Sequence, residues 1–580
     1  IRYAKRWRIE PSDSAAYRRG ELVRPVKQLV FYIDSLMPVK WNPYIKAGAE
    51  SWNKAFEKIG FKDVICVKEF PKNDTLFNAN SFDCMTIRYS ASWLNSAQTT
   101  IHSDTRTGEI LNASILINAN MISVQYADRI GATVAIDPRV RTTVFPQEIQ
   151  GELIQAAIAQ AVGTGLGLTM NWGASCAYPV DSLRSASFTQ KYGLASSVMG
   201  GVIINDVATE EDVRNGVCLV NTKPGPYDEL VIKYLYQPIY ASSLQEEKET
   251  LDSWIREHTG DPYYAYIRNQ SRFDSDPRNS RGSLGDDHLK SFDYMLPNVR
   301  KGFENYYSWF AKEDRDFLMR RRVHSALSER LSGRIYAILS YIGGIYLNDI
   351  REKDAIPSYS MVDREKQKAA LSKALELAKN LDWVDDTAHL NEFEISDKKA
   401  DRLRLDIFNG IFGRLPYVEV CTERFPDAAY TASEYLDDIY GIVWEGVLKH
   451  RPLENFERAL QTAFLESIIS TSTATAPIGS FKASKTGFAA TGKPEINLAS
   501  LRNGGKVDMK MYSLQNAEEV AGFSSIPPIY TNQTKIAAYY FDLLMRTKDM
   551  LKKAISTAPE ADRSHYDLLI YRINKATEIE

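Results

Sequence analysis

The side chains best able to carry out chemistry are few and widely separated in this 580-residue chain. The seven histidines are His102, His258, His288, His324, His389, His450 and His565. No two of them lie within five residues of each other, so no helix can present a local pair of histidine ligands to a metal. A site assembled from histidines that are distant in sequence stays open.

The cysteines form no recognisable ligand or disulfide pattern. There are five of them, an odd number, and no two are arranged as C-x-x-C: Cys66, Cys84, Cys176, Cys218 and Cys421. A disulfide framework or a cysteine zinc site is therefore not expected. We expect most of these residues to be small buried hydrophobic side chains.

Four carboxylates are crowded into one connecting segment: Asp274, Asp276, Asp286 and Asp287. Carboxylate oxygens are good calcium ligands, but the twelve-residue spacing of an EF-hand loop is missing here. The alternative is a solvated connector whose aspartates cap the neighbouring helices. Both interpretations stay open from the sequence.

The stretch from 146 to 172 joins a helical pattern to three closely spaced glycines, and it reads PQEIQGELIQAAIAQAVGTGLGLTMNW. Its apolar residues recur at three- and four-residue spacing: Leu153, Ile154, Ala157, Ile158, Ala161 and Val162. This pattern predicts a helix over about 147–163, ended by Gly163, Gly165 and Gly167. A dinucleotide loop needs G-x-G-x-x-G after a strand, and these glycines read G-x-G-x-G after a helix, so a nucleotide site is not expected.

The same stretch resembles the zinc-binding segment of metzincin metalloproteases, whose signature is H-E-x-x-H-x-x-G-x-x-H. The segment QAVGTGLGLTMN fits that signature without a gap, with Gly167 at the glycine position. The resemblance is to large bacterial zinc-dependent metalloproteases of the cell envelope. Further text similar to that family is YAKRWRIE near the start, DTRTGEIL at 104–111, YPVDSLRS at 178–185, GPYDELVIKYLYQPI at 225–239, SLGDDHLK at 283–290 and VDREKQKAAL at 362–371.

The resemblance implies that the metal-binding and catalytic residues of the signature are replaced in this chain, whereas the surrounding residues still match the family. Gln160, Thr164 and Met170 stand where the three histidine ligands are expected, and Ala161 stands where the glutamate is expected. Met199, in Ser197-Val198-Met199, corresponds to the methionine of the Met-turn that lies beneath the metal.

These replacements argue against zinc chemistry. Zinc favours imidazole or comparably good donors, whereas amide and hydroxyl oxygens are weak neutral ligands and a thioether suits copper(I). An alanine at the glutamate position cannot take a proton from a metal-bound water. We therefore expect no zinc cofactor and a catalytically inactive homologue, a pseudoprotease that binds peptide or protein along the former substrate groove. The alternatives are a hydrolase of the same family with a relocated active site, and a structural or assembly protein of the cell envelope.

The first half of the chain is predicted to alternate strands and helices, as in a metzincin-like α/β domain. Strands are predicted at 27–34, 64–70 and 84–90, with one helix from about 42 to 59. The segment 109–117, with Ile110, Asn112 and Ser114, is predicted to be an edge strand that can accept a substrate peptide, or else an edge that is simply covered or solvated. Asp181 and Arg184 are expected to form a structural pair, with a catalytic role for them as the alternative.

The second half is predicted to be mainly helical, with helices within 314–349, 363–381 and 432–469 and from about 535 to the end. Asp363 is a plausible helix cap. A strip rich in Ser, Thr, Ala and Gly at 470–492 predicts an irregular excursion near 470–530. The predicted fold class is thus α+β: a metzincin-like domain over 1–240 and a mainly helical domain over 241–580.

Composition narrows the possible partners. The net charge is −3 and charged residues make up 25% of the chain, so there is no basic footprint for nucleic acid. No apolar run reaches the roughly 18 residues that a membrane span needs. Because the text resembling the family begins almost at Ile1, we expect a natural N-terminus further upstream. The resemblance implies a cell-envelope, periplasmic or secreted protein, and it leaves the oligomeric state and the partner open.

Overall fold

The computed structural model describes residues 4–71, 73–74, 76–94, 97–267, 275–279, 283–350, 352, 354–385, 389, 398–471 and 533–577. The predicted excursion near 470–530 therefore lies almost entirely outside the described residues, as does Asp274. The fold is α+β, as the sequence predicts: a mixed sheet with its helices comes first, and the second half is dominated by helices.

A five-stranded sheet organises the first half. Its strands are β1 (Leu29–Ile33), β2 (Ile65–Glu69), β3 (Met85–Ser90), β4 (Ala97–Ser103) and β5 (Ile110–Asn118). They lie in the order β2-β1-β3-β5-β4, and only β4 runs antiparallel to its neighbour. A separate two-stranded ribbon consists of β6 (Ile345–Leu347) and β7 (Tyr359–Met361). The three predicted strands correspond to β1, β2 and β3.

The α-helices of the first half of the described chain are α1 (Ser14–Arg18), α2 (Asn42–Glu50), α3 (Asn53–Glu57), α4 (Ala119–Thr133), α5 (Gln147–Gly165), α6 (Ala186–Tyr192), α7 (Glu210–Arg214), α8 (Pro226–Tyr236) and α9 (Leu244–Arg256). Those of the second half are α10 (His288–Phe310), α11 (Leu318–Leu339), α12 (Arg364–Lys379), α13 (Lys399–Gly413), α14 (Leu415–Arg424), α15 (Ala432–Val443), α16 (Glu445–Leu448), α17 (Asn455–Thr471), α18 (Gln533–Ala554) and α19 (Glu560–Thr577). Short 3-10 helices occur at Val39–Trp41, Pro138–Val140, Trp172–Cys176, Val180–Arg184, Val198–Gly200, Pro262–Tyr264, Pro277–Asn279 and Asp382–Val384.

The prediction that the segment 109–117 is an edge strand is wrong. Residues 110–118, including Ile110, Asn112 and Ser114, form the interior strand β5, which pairs with β3 on one side and β4 on the other. Ile110 and Asn112 are buried and Ser114 is half-buried. The edge strand is β4, whose polar sequence is AQTTIHS. Apolar residues do not alternate clearly in this sequence, so no strand was predicted there.

Several predicted helices are shorter than expected. The helix predicted over 42–59 is divided into α2 and α3 at Ser51 and Trp52, where Ser51 Oγ donates to the Gly48 carbonyl oxygen at 2.7 Å. The region 314–349 contains α11 and then β6, and the region 432–469 contains three helices. Asp363 caps α12 as predicted, because its Oδ1 accepts from the backbone N–H groups of Glu365 and Lys366.

Two large apolar cores hold these elements together. The first packs the sheet against α2, α3 and α5 around Trp52, Phe56 and Val162, and it includes Met199. The second lies among the helices after residue 288, but it also includes Ile130 of α4 and Ile149 of α5. The boundary near residue 240 stays a prediction, since the second core contains residues from both sides of it. Within the described ranges, no helix has the length and apolar character that crossing a membrane requires.

Candidate functional site

The helix predicted at 147–163 is α5, and its last turns carry the replaced signature positions. Gln160 and Thr164 lie one turn apart on a half-buried side of α5, and Thr164 Oγ1 donates to the Gln160 carbonyl oxygen at 3.3 Å. The helix ends in a turn at Gly167, whose φ is +90°. The chain then reverses, because the Leu168 N–H bonds back to the Gly163 carbonyl oxygen at 3.1 Å.

That reversal brings Met170, the third replaced position, into contact with Gln160, the first. Gln160 Nε2 donates to the thioether sulfur of Met170 at 3.2 Å. Gln160, Thr164 and Met170, which are up to ten residues apart in sequence, therefore form one half-buried cluster. The resemblance implies that the three ligand positions lie close together, and their assignment as former ligand positions stays a prediction.

Ala161, at the position of the expected glutamate, contacts the sheet through its backbone carbonyl group. Its carbonyl oxygen accepts a hydrogen bond from Thr99 Oγ1 of β4 at 2.9 Å. A methyl group built on Gly165 would also lie in ordinary contact with Thr99, at 3.7 Å from Cγ2. The middle of the edge strand β4 is thus fixed against the last turns of α5. Sequence reasoning missed Thr99, because the strand that carries it was not recognised.

Met199 lies beneath this cluster and is fully buried, as predicted from the sequence. Its 3-10 turn, Val198–Gly200, passes under α5 so closely that a Cβ added to Gly163 would be 2.5 Å from the Met199 sulfur. The Met199 carbonyl oxygen accepts from the Asn171 N–H at 3.0 Å, which joins this turn to the chain beside Met170. Its role as a Met-turn stays a prediction.

A buried carboxylate holds the Met199 turn in place. Asp228 of α8 accepts from Ser197 Oγ at 2.5 Å through Oδ1, and from the backbone N–H groups of Val198 and Gly225 at 2.9 Å each through Oδ2. Ser197 Oγ in turn accepts from the Met199 N–H at 2.9 Å. Asp228 is completely buried, and this burial raises its pKa to about 7 even though its three hydrogen bonds favour the carboxylate.

The pKa of Asp228 predicts a pH-dependent stability. Because its pKa in the folded state lies above the unfolded value of about 3.9, the folded state binds the proton more tightly, and the free energy of unfolding should fall as pH rises from about 4 to about 7. Between pH 5 and pH 8 we expect Asp228 to contribute a loss of stability on the order of 2–3 kcal/mol. In Asp228→Asn, the amide oxygen can still accept from the Val198 and Gly225 N–H groups, while the amide NH2 must donate to Ser197 Oγ, which reverses that bond. The amide does not titrate, so the pH-dependent loss should disappear. Denaturant unfolding of both proteins across this pH range measures the effect, and parallel curves would contradict it.

Asn171 is a second buried polar residue that sequence reasoning did not assign. Its side-chain Nδ2 donates to the Ala265 carbonyl oxygen at 2.9 Å, and its Oδ1 accepts from the Ile267 N–H at 3.1 Å. Thr169 Oγ1 lies 3.3 Å from the hydroxyl of Tyr266. Because side chains alternate along an extended segment, Thr169 and Asn171 hold residues 265–267 on one side, while Met170 points to Gln160 on the other.

The remaining acidic candidates have structural partners. Asp181 and Arg184 do not form the expected pair: Asp181 bonds Lys290 at 2.5 Å and Tyr294 at 2.8 Å, whereas Arg184 bonds Asp212 at 2.7 Å. Asp181 and Arg184 do not pair with each other because each binds a side chain of opposite charge from a segment that is distant in sequence.

In the predicted acidic loop, the three described carboxylates also accept hydrogen bonds from the protein. Asp276 binds the Arg278 guanidinium, Asp286 accepts from the Val180 N–H at 3.1 Å, and Asp287 caps α10. This arrangement matches the capping-rich connector rather than a ready set of calcium ligands. Among the residues that the structure describes, no group of three or more His, Cys, Asp or Glu side chains is arranged to hold a metal ion.

A family model described as Met-zincin matches residues 142–451, just over half of the 580-residue chain. The chain belongs to the Met-zincin family. No curated protein and no solved structure matches the chain. The range that the family model matches includes α5, the Met199 turn and α8. It therefore contains every residue of the site in this Met-zincin except those on the sheet. The metzincin-like family membership expected from the sequence is confirmed.

The residues at the site do not fit the zinc ion that the family implies. Gln160 presents its N–H donor to a thioether, and the Thr164 hydroxyl donates to a backbone carbonyl oxygen. The oxygens that these two side chains could offer are amide and hydroxyl oxygens, which are weak neutral ligands for zinc. A thioether is in addition a poor donor for zinc. No catalytic step through zinc can be derived from these three side chains.

Proposed function

We propose that this Met-zincin is a pseudoprotease that keeps the family fold, lacks zinc-dependent peptidase activity and binds peptide or protein segments along the edge strand β4. The observation that carries the proposal is the contact of Gln160 with Met170, which joins two of the three positions where ligands are expected through an amide and a thioether. The resemblance to cell-envelope proteases supports a periplasmic, secreted or otherwise envelope-associated location.

The position of the general base supports the same proposal. Ala161 offers only a methyl group, and its backbone carbonyl is engaged by Thr99. Hydrolysis of a peptide bond needs a base that takes a proton from the attacking water, and the usual source is a carboxylate within hydrogen-bond reach. Neither metal nor base chemistry is therefore available from the residues at these four positions.

Peptide binding is supported by the edge strand. In the described part of the sheet, β4 has a neighbouring strand on one side only, and its seven residues are half-buried or exposed. A peptide that pairs with the open side of β4 would satisfy its backbone groups and run beside the turn of α5 that carries Gln160 and Thr164. The hydrogen bond from Thr99 to Ala161 keeps that strand in position without any metal.

Metal content and turnover test the loss of activity. The protein, purified without chelator and then dialysed against micromolar zinc, should retain far less than one zinc ion per chain and should not cleave a broad peptide library. Elemental analysis with anomalous scattering locates any bound zinc. Stoichiometric zinc among Gln160, Thr164 and Met170 would overturn the proposal, and peptide cleavage that persists with chelator would indicate a hydrolase with relocated chemistry.

Backbone-modified peptides test the edge strand. A pool of eight-residue peptides should slow hydrogen–deuterium exchange of residues 97–103, because each added strand covers amide groups of β4. The matched control is the same pool with N-methyl groups on alternate amides, which removes the donors that a strand needs and should abolish the protection. Equal protection by both pools, or protection only outside β4, would contradict strand addition.

A further inference from the structure

Six large apolar side chains of residues 4–267 are at least 70% exposed, and four of them lie in three connecting segments, one after β1, one after β3 and one before α5. Leu36 is 74% exposed, Val39 75%, Trp93 70% and Val144 74%. We call these four residues the carboxyl-edge patch. Single exposed apolar residues are common, but a contiguous exposed group on one side of a protein usually marks an interaction surface.

The sheet places all four residues at one edge. Strands β1, β3 and β5 run parallel, so the segments that follow them emerge at the same edge. Leu36 and Val39 follow β1, and Trp93 follows β3. Asn120, which comes directly after β5, donates from Nδ2 to the Trp93 carbonyl oxygen at 2.7 Å.

The start of α5 brings Val144 to the same edge. Gln147 Nε2 donates to the Lys40 carbonyl oxygen at 3.4 Å, and Trp41 Nε1 donates to Gln150 Oε1 at 3.3 Å. The loop that holds Val144 therefore lies beside the turn that holds Val39.

The shape and charge of this edge suit a lipid surface. Residues exposed to 70% or more protrude from the turns that carry them, so their side chains can insert into an apolar layer. The segments 34–41, 90–94, 119–124 and 141–146 carry one carboxylate, Asp34, and two basic side chains, Lys40 and Arg141, and Glu313 adds a second carboxylate, which accepts from the Thr143 N–H at 3.1 Å. Tryptophan and branched aliphatic side chains beside so few charges are typical of the boundary between headgroups and acyl chains.

We propose that the carboxyl-edge patch docks this Met-zincin onto a lipid bilayer, with Leu36, Val39, Trp93 and Val144 inserted into the headgroup region. Gln160 is thirteen residues further along α5 than Gln147, a distance of about 20 Å at 1.5 Å per residue. Docking at the start of α5 thus leaves the opposite end of that helix, and the edge strand beside it, free to meet a partner. The proposal does not depend on whether the site is catalytic.

Vesicle sedimentation tests the docking. The purified chain should bind vesicles of phosphatidylcholine, and the affinity should change less than about threefold between low and high salt, because this lipid carries no net charge and the few charges of the edge are of both signs. The variant L36S/V39S/W93S/V144S should bind at least tenfold more weakly. The matched control is L448S/F541S/L568S/Y571S, four exposed apolar residues of the helical half that are 47–63% exposed, and it should bind like the parent.

Other outcomes overturn the proposal. Since all eight side chains are exposed, both variants should keep the circular dichroism spectrum of the parent, so a loss of binding reports on the surface itself. Failure of the parent to sediment with vesicles, or equal loss in both variants, would contradict lipid docking. A parent dimer that forms without lipid and is abolished only by the first variant would assign the patch to a second copy of the chain.

Discussion

Replacing Gln160, Ala161, Thr164 and Met170 with His, Glu, His and His should give a chain that binds zinc stoichiometrically, whereas we expect the parent chain to retain none. Gln160 and Thr164 lie one turn apart and Met170 already contacts Gln160, so three imidazoles at these positions would converge. Three imidazole ligands form a complete protein contribution to a catalytic zinc site. We expect zinc affinity to rise by at least about a thousandfold, measured by elemental analysis and competition with a chromogenic chelator.

Two partial variants serve as controls for this restoration. Q160H/T164H/M170H should bind zinc without cleaving peptides, because Ala161 supplies no base. Ala161→Glu alone should retain no zinc, because the ligand positions are unchanged. A fully substituted variant that folds but takes up no zinc would show that the surroundings of the site have changed too. In that case the pseudoprotease proposal would need more than the loss of four side chains.

Local sequence signals predicted the elements that carry the site. The apolar residues of α5 and the glycines after it are short-range features, and they predicted a helix over 147–163 where the structure has Gln147–Gly165. The burial of Met199 followed from the resemblance around Ser197 and Val198. The buried strands β1 to β3 were recognisable because β-branched and aromatic residues dominate them.

Features that depend on distant segments were not predictable in the same way. Whether a strand lies at an edge is a property of the whole sheet, and the polar strand β4 had no apolar alternation to reveal it. The partners of Asp181 and Arg184 come from α10 and α7 rather than from each other. Asp228 lies 31 residues after Ser197, so its hold on the Met199 turn is visible only in three dimensions.

The glycine turn after α5 can be recognised from local sequence, but glycine is also required there by a contact with a segment that is distant in sequence. The sequence predicts that Gly167 ends the helix. Its φ of +90° agrees with this, because glycine, which has no Cβ, adopts positive φ readily. The structure adds a second requirement. A Cβ on Gly167 would lie 2.1 Å from the carbonyl oxygen of Lys5, near the start of the chain. The first residues therefore pack directly on this turn, and Trp7 Nε1 donates to the Gly165 carbonyl oxygen at 2.8 Å.

Gly167→Ala should therefore be among the most destabilising single substitutions at the site. The added methyl group imposes the strain of a positive φ, about 1–3 kcal/mol, and it forces the Lys5 backbone away, so we expect a total loss of about 3–5 kcal/mol. Thermal and denaturant unfolding measure the loss, and hydrogen exchange should increase in residues 4–9. The matched control is Gly165→Ala, whose Cβ would lie 3.4 Å from Ala113 Cβ in ordinary contact at the end of a helix. That variant should be neutral or slightly stabilising because alanine favours the helix by up to about 1 kcal/mol. Equal stability of the two variants would mean that the Lys5 segment does not pack against the turn, and the geometry derived for Met170 beyond that turn would then have to be revised as well.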